Sequence, residues 1–236
     1  MSLLGEEKNF HVVQRKEKEK ELINDRRGWV KKLAETAVSR NTDEAWNECY
    51  QIIAERIVFL EKLRELEKKR GYRDPLTGIP NRRFWDEVVN REMERCNRRG
   101  TSYGVLIVDV DYFKKVNDMY GHNAGDYVLR DVAKRIRDAI RAEDLCARYG
   151  GEEFSVLLPE PQLSGLDIVG QRIRLAIQEN EFIVVNMNKQ EVQANITVSV
   201  GGTLSRPHEK SDYTIARADK ALYNSKEAGR NLVTID

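Results

Sequence analysis

The residues best suited to chemistry sit in one short turn, Gly150-Gly151-Glu152-Glu153-Phe154. Two glycines followed by two acids, between apolar runs, suit a hairpin tip that handles a metal and a phosphate. Glycine accepts positive φ and lacks a side chain, so such a turn can join two strands tightly while its N–H groups approach a phosphate oxygen. The acids supply charge for a cation. Leu145-Cys146-Ala147-Arg148-Tyr149 before the turn and Phe154-Ser155-Val156-Leu157-Leu158-Pro159 after it read as its two strands. A further acid, Asp109, ends the apolar run Tyr103-Gly104-Val105-Leu106-Ile107-Val108, the pattern of a buried central strand that presents a carboxylate at its edge. If these strands share a sheet, two or three carboxylates converge. Unpaired acids at one point raise each other's pKa and are held together by cations, and hard oxygen ligands suit Mg²⁺ or Mn²⁺. With nucleotide phosphates as co-ligands, the chemistry is phosphoryl transfer. Taken alone, the same acids would equally be unrelated surface carboxylates.

The elements that must position these groups follow from composition. Residues 1 to 71 are dense in Lys, Arg, Glu, Leu and Ile and contain no proline, which predicts helices with little β core. Trp29, Val30, Leu33, Ala34, Ala37 and Val38 have helical spacing, and a longer stripe carries Ile53, Ile57, Leu60 and Leu63. The second stripe is short and irregular for a coiled coil, so it reads as a packed or dimerising helix. The charged run from Arg15 to Glu21 alternates in sign and reads as a solvated helix face.

A break follows at Gly71-Tyr72-Arg73-Asp74-Pro75-Leu76-Thr77-Gly78-Ile79-Pro80-Asn81, and a second domain is expected over 72–236. Asp74 reads as a turn residue and Asn81 as the cap of a helix that buries Phe84, Trp85, Val88 and Val89 and closes at Gly100. Further helices are expected near 113–119, 125–141, 163–179 and 212–228. A second hairpin is expected with arms Phe182-Ile183-Val184-Val185 and Ile196-Thr197-Val198-Ser199-Val200, and Leu232-Val233-Thr234-Ile235 reads as an edge strand. This order predicts an α+β fold, a mostly antiparallel central sheet flanked by helices, preceded by an all-helical N-terminal segment.

Forty basic and 39 acidic residues leave a net charge of +1, which argues against a nucleic-acid partner and makes any phosphate recognition local. Cys49, Cys96 and Cys146 have neither metal-ligand nor disulfide-framework spacing, which fits a reducing cytoplasm. No apolar run approaches the ~20 residues of a membrane span. The opening Met1-Ser2-Leu3 is compatible with an expression scar, and so with a longer natural protein.

Three stretches then combine: Asp74-Pro75-Leu76-Thr77-Gly78-Ile79-Pro80-Asn81-Arg82-Arg83, Asp109 to Asp126, and Arg148 to Phe154. With the closing Arg217-Ala218-Asp219-Lys220-Ala221-Leu222-Tyr223 and Lys226-Glu227-Ala228-Gly229-Arg230-Asn231, the chain from about Arg73 onward resembles the GGDEF-domain diguanylate cyclases. Residues 1 to 71 lie outside the resemblance, which implies a palm-like fold that condenses two GTP into cyclic di-GMP and two pyrophosphates with Mg²⁺ or Mn²⁺. It also implies that Asp109, Glu152 and the Val110 carbonyl hold the metal. Glu153 is implied either in metal binding or in loss of the 3′-hydroxyl proton. Gly150, Gly151, Phe113 and Lys114 are implied near the phosphates, Lys226 and Arg230 at the outer phosphates, and Asn117 and Asp126 at guanine. An amide and a carboxylate suit the N1–H and N2–H edge of guanine. His122 reads either as a capping or core-edge residue or as a substrate contact.

The family further implies one GTP per domain, so a homodimer is required for activity, and in the regulatory or dimerising segment 1–71 the helices around Ile53 to Leu66 are expected to bring two domains together or to transmit a signal that reorients them. Arg141 and Asp144, separated by two residues just upstream of the turn, resemble its product-inhibition motif, with Arg172 as a supporting arginine. The competing reading is a non-catalytic module that binds GTP or cyclic di-GMP. Such modules carry damaged signature residues, whereas Asp109, Glu152 and Glu153 are intact here. Another palm-like nucleotidyl transferase or adenylate-type cyclase would lack the Asn117/Asp126 pair and the late Lys226/Arg230 motif.

Overall fold

The computed structural model describes residues 38, 39, 42–47, 49–54, 58 and 71–236. The chain divides into two compact units between Leu63 and Arg64. In the first, helical residues 43–47 and 49–54 include the buried Trp46 and Cys49, with Tyr50 and Ile53 packed beside them. Trp29 to Ala37, the run from Arg15 to Glu21, and Ile57, Leu60 and Leu63 lie outside the described residues.

The second unit runs α1 (Arg82–Arg99), β1 (Tyr103–Val110), α2 (Phe113–Tyr120), α3 (His122–Ala139), β2 (Leu145–Arg148) and β3 (Glu153–Pro159). It continues with α4 (Leu163–Gln178), β4 (Phe182–Val185), β5 (Glu191–Ala194), β6 (Val198–Leu204), α5 (Ser211–Glu227) and β7 (Val233–Ile235). The helix α1 begins where the Asn81 side chain accepts from Phe84 N–H at 3.1 Å, and it ends at Gly100 in the left-handed conformation.

Five strands form one sheet in the order β2-β3-β1-β6-β7, antiparallel at every pairing except the parallel β6–β7 edge. Every residue of β1 is buried, because helices cover both faces. Leu106, Val108 and Val110 join Val156, Val128 and Ile173 in a core shared with α2, α3 and α4. Val105 and Ile107 alternate to the other face, where α1 and α5 pack. Each such side chain contributes about 1.5–3 kcal/mol by leaving water, so β1 is a firm base for what its end carries. The helix α5 lies very close to the sheet: a Cβ on Gly201 would stand 2.0 Å from Leu222 N.

The expected second hairpin is re-paired. The partner of β4 is β5, in a separate two-stranded sheet, and the arm expected from Ile196 to Val200 supplies β6 of the central sheet instead. The polar Glu191 and Gln193 hide β5 from an apolar pattern, while Asn186 Oδ1 builds the turn by accepting from Asn188 and Gln190 N–H. The third helix starts at His122 rather than near 125, because Gly121 at φ 91 absorbs the bend between α2 and α3 within one residue. All three cysteines are buried. No helix among the described residues is long and apolar enough to cross a membrane.

Candidate active site

The end of β1 is the focal point. Asp109 pairs with Glu153 of β3 on one side and with Ser199 of β6 on the other. Asp109 is 7 % exposed, and Lys226 Nζ from α5 lies 2.9 Å from its Oδ1. Burial pushes the Asp109 pKa up, with Glu153 and Asp111 adding to the rise, and Lys226 opposes them without cancelling it. The Glu152 carboxyl is likewise raised by burial and then by the charge of Asp109. The acids therefore do share one electrostatic field. Among the described residues, no three His, Cys, Asp or Glu side chains form a cluster able to hold a metal ion, and the Lys226 ammonium lies on Asp109.

The turn before β3 is closed by main-chain bonds, with the Glu153 carbonyl accepting from Tyr149 and Gly150 N–H at 2.8 and 3.2 Å. Val110 N–H donates to the Glu152 carbonyl at 3.3 Å, which ties the turn to the end of β1. Neither Gly150 nor Gly151 takes a positive φ, contrary to the conformational argument from sequence. Their value is steric: the Glu153 carboxylate lies over Gly150, where a Cβ would meet its Oε2 at 2.7 Å, and nothing stands within 4 Å of a Cβ on Gly151.

Arg148 fixes this turn from behind. Its Nε and Nη2 donate to the Gly151 carbonyl at 3.1 and 2.7 Å, and its Nη1 bonds both Asp74 oxygens at 3.0 and 3.1 Å. Asp74 also accepts from the Thr77 N–H and hydroxyl, confirming it as a turn residue. Burial alone would raise the Asp74 carboxyl, but the Thr77 and Arg148 bonds outweigh it and hold it below the ordinary range.

A second cluster forms where α2 meets α3. The Asn117 side chain lies directly over Gly125, so a Cβ there would stand 1.9 Å from its Oδ1. Asp126 follows on the first turns of α3 and is partly exposed. Phe113 is core, 8 % exposed, whereas Lys114 and His122 face solvent. The first two residues of α2, Phe113 and Lys114, lie in the turn whose N–H groups have no intrahelical acceptor.

The last turn of α5 and the loop after it complete the group. Lys226 reaches Asp109, and the Arg230 guanidinium lies 4.6 Å from the centre of the Tyr112 ring. Asp111, 5 % exposed, accepts from the hydroxyls of Thr197 and Ser199 and from Asn231 N–H.

Arg141 and Asp144 are joined by an Arg141 N–H bond to Asp144 Oδ2 at 2.8 Å. They line a cavity of about 360 Å³ together with Arg73, Arg137, Ile79 and Pro80. Arg172 instead lines a shallow depression on α4 with Ile168 and Leu175, so one copy of the domain does not bring the three residues into one pocket. Cys146 also borders the cavity, but burial pushes its thiol up to about 12, which removes it as a nucleophile. Sequence reasoning missed Arg148, Gly125 and Asp111 as site residues. Each lies in a motif stretch, yet each acts through a residue distant in the chain or through the absence of a side chain.

The family described as "Diguanylate cyclase, GGDEF domain" matches residues 71–232. The response regulator PleD of Caulobacter vibrioides is 36% identical over 161 residues, 68% of this chain and 35% of PleD. The diguanylate cyclase DosC of Escherichia coli is 35% identical over 184 residues, 78% of this chain and 39% of DosC. The chain thus spans well under half the length of these two relatives. Among solved structures, the GGDEF domain of DgcB from Caulobacter crescentus, in complex with c-di-GMP, superposes with a TM-score of 0.67 at 33% identity, covering 71% of this chain and 94% of that domain.

Proposed function

Because the chain belongs to the GGDEF-domain family of diguanylate cyclases, we propose that it condenses two GTP molecules into cyclic di-GMP and two pyrophosphates at a site completed by two copies of the domain. One observation carries the reading: the buried Asp109 at the end of β1, with Glu153 beside it in register, Glu152 within its field and the Lys226 ammonium on its carboxylate. This is an intact charge centre of the kind that triphosphate chemistry uses.

The donors fit a hard divalent cation. Two carboxylates raised by burial and mutual repulsion, with a main-chain carbonyl nearby, are stabilised by positive charge, and Mg²⁺ characteristically takes only one or two carboxylates beside substrate phosphates. Asp109, Glu152 and the Val110 carbonyl would hold Mg²⁺ or Mn²⁺, which when bound supplies Lewis-acid stabilisation of the phosphate charge.

The remaining residues bind and orient. The free N–H groups of Phe113 and Lys114 at the start of α2 receive phosphate oxygens, with the Lys114 ammonium beside them. Lys226 and Arg230 neutralise the departing pyrophosphate. Gly151, open on its outer side, lets the nucleotide approach the turn. Asn117 and Asp126 read the guanine edge, and His122 borders that pocket from the first turn of α3. Glu153 either joins the metal or takes the 3′-hydroxyl proton. Each bound GTP presents its α-phosphate to the 3′-oxygen of the other, which requires a head-to-tail pair. Cyclic di-GMP binds back at the Arg141–Asp144 cavity, where guanidinium groups suit its phosphates and guanines. Arg172 joins such a ligand from a second copy.

Incubation of the purified protein with GTP and Mg²⁺, followed by chromatography, should yield cyclic di-GMP and pyrophosphate in a ratio of one to two, and Asp109→Asn should yield neither. Intact GTP at protein concentrations that enforce pairing would overturn the assignment.

A further inference from the structure

Tyr112 follows directly on the Asp109–Asp111 segment, and the mechanism above gives it no task. Its backbone is left-handed at φ 55, a conformation uncommon for a bulky residue, and the residue is 52 % exposed. Two cations lie over that ring, Lys115 Nζ at 4.3 Å and the Arg230 guanidinium at 4.6 Å from its centre. Arg230 Nη1 also donates toward the Tyr112 hydroxyl at 3.4 Å.

Arg230 itself sits in a constrained loop. Arg230 and Asn231 are consecutive left-handed residues, φ 66 and 49, and such strain persists only where the surroundings over-determine it. Here they do. Arg230 N–H closes the end of α5 on the Ser225 carbonyl at 3.0 Å, and Asn231 N–H donates to Asp111 Oδ2 at 3.0 Å. The buried Asp111 is held in turn by the Thr197 and Ser199 hydroxyls, both at 2.7 Å. Two neighbouring residues past the end of β1 thus hold this loop, Asp111 through the Asn231 N–H that follows Arg230 and Tyr112 through the Arg230 side chain.

The choice of partner matters chemically. A carboxylate would position a cation but also neutralise it, as Asp109 does to Lys226. An aromatic face attracts cations through its quadrupole and leaves their charge whole. We propose that Tyr112 and Asp111 are positioning residues for Arg230, and that Lys115 is a further phosphate-binding cation on the same ring, so that two undiminished positive charges meet the outer phosphates of a nucleoside triphosphate. The choice of triphosphate rests on the cyclase reading.

The test is calorimetric titration of the full chain with 3′-deoxy-GTP, which lacks the attacking hydroxyl, and with GMP, which lacks the outer phosphates. Tyr112→Asn removes the ring with a residue that tolerates the left-handed backbone and should weaken 3′-deoxy-GTP about tenfold while leaving GMP unchanged. Tyr112→Phe, which keeps the ring, should bind like the native chain, and Lys115→Ala should lose triphosphate but not GMP affinity. Added to the double variant Lys115→Ala/Arg230→Ala, which has no cation left for the ring to position, Tyr112→Asn should cost no further affinity. Native triphosphate affinity in Tyr112→Asn, equal losses for GMP, or a further loss when Tyr112→Asn is added to that double variant would overturn the proposal. If the native chain binds 3′-deoxy-GTP but makes no cyclic di-GMP from GTP, the cyclase reading falls, while the binding cycle still decides the role of Tyr112.

Discussion

At Gly125 the missing side chain does the work of a shape. The Asn117 amide occupies the space over its Cα, so Gly125→Ala forces that amide away from a contact only 1.9 Å from the new methyl. Because Asn117 is proposed to read guanine with Asp126, the variant should stay folded while its preference for GTP over ITP, which lacks the N2 amino group, narrows about tenfold, the scale of one lost hydrogen bond to a charged or polar edge. Ratios of kcat/KM for the two nucleotides measure this, and an unchanged ratio would detach Asn117 from base reading. The sequence made Asn117 and Asp126 legible by type and motif spacing. Gly125 stayed silent between them, since a glycine near a helix start has many ordinary explanations and its neighbour across the α2–α3 bend becomes visible only in three dimensions. The glycines of the acidic turn erred the other way: they invited a conformational argument, whereas their backbone is ordinary and their value is open space.

At the scale of elements, the Gly-Gly-Glu-Glu hairpin depends on a turn far upstream. Asp74 and Arg148 are 74 positions apart, and one guanidinium joins the first turn of the domain to the Gly151 carbonyl. The Asp74 carboxyl is held below its ordinary value despite its burial, so the bond contributes stability above the usual Asp range, near pH 4, and loses it as pH falls through the lowered folded value. Thermal unfolding of the native chain and of Asp74→Asn should therefore converge as pH drops from 6 toward 3, with the variant less stable at the upper end. Parallel curves would assign the acid sensitivity elsewhere, for instance to Glu209 and Asp236, which Arg217 also holds low. The close seat of α5 is a second element-scale constraint. Gly201→Ala places a methyl against the Leu222 and Ala218 backbone and should lower stability by about 3 kcal/mol or more in chemical denaturation, above the usual cost of an overpacked core. Strand identity was largely readable from apolar runs and turn residues. Pairing was not: alternation reports which face is buried but not which strand lies alongside, and so Ile196 to Val200 was assigned to the wrong neighbour.

For the whole molecule, the proposed binding of one GTP per domain makes turnover a property of pairs. Specific activity should rise with protein concentration and follow the dimer fraction from sedimentation equilibrium, and activity proportional to a monomer population would defeat the shared-site reading. Arg141→Ala should retain synthesis while the rate no longer falls as cyclic di-GMP accumulates, because its guanidinium is withdrawn from the 360 Å³ cavity rather than from the acidic turn. The composition of the N-terminal segment predicts helices, but its task was not legible, since a run of charges alternating in sign carries no chemistry to read. One feature also bears on how the protein comes into being. Tyr112 and Arg230 are 118 positions apart, Asp111 and Asn231 are 120 apart, and Asp109 meets a lysine of the same late helix. A ribosome therefore delivers the acids of β1 long before the cations that face them. Until α5 docks, the Asp109 end of β1 lacks its counter-charge, so the proposed nucleotide site is among the last parts of the domain to mature, and contacts so distant in sequence make that maturation slow.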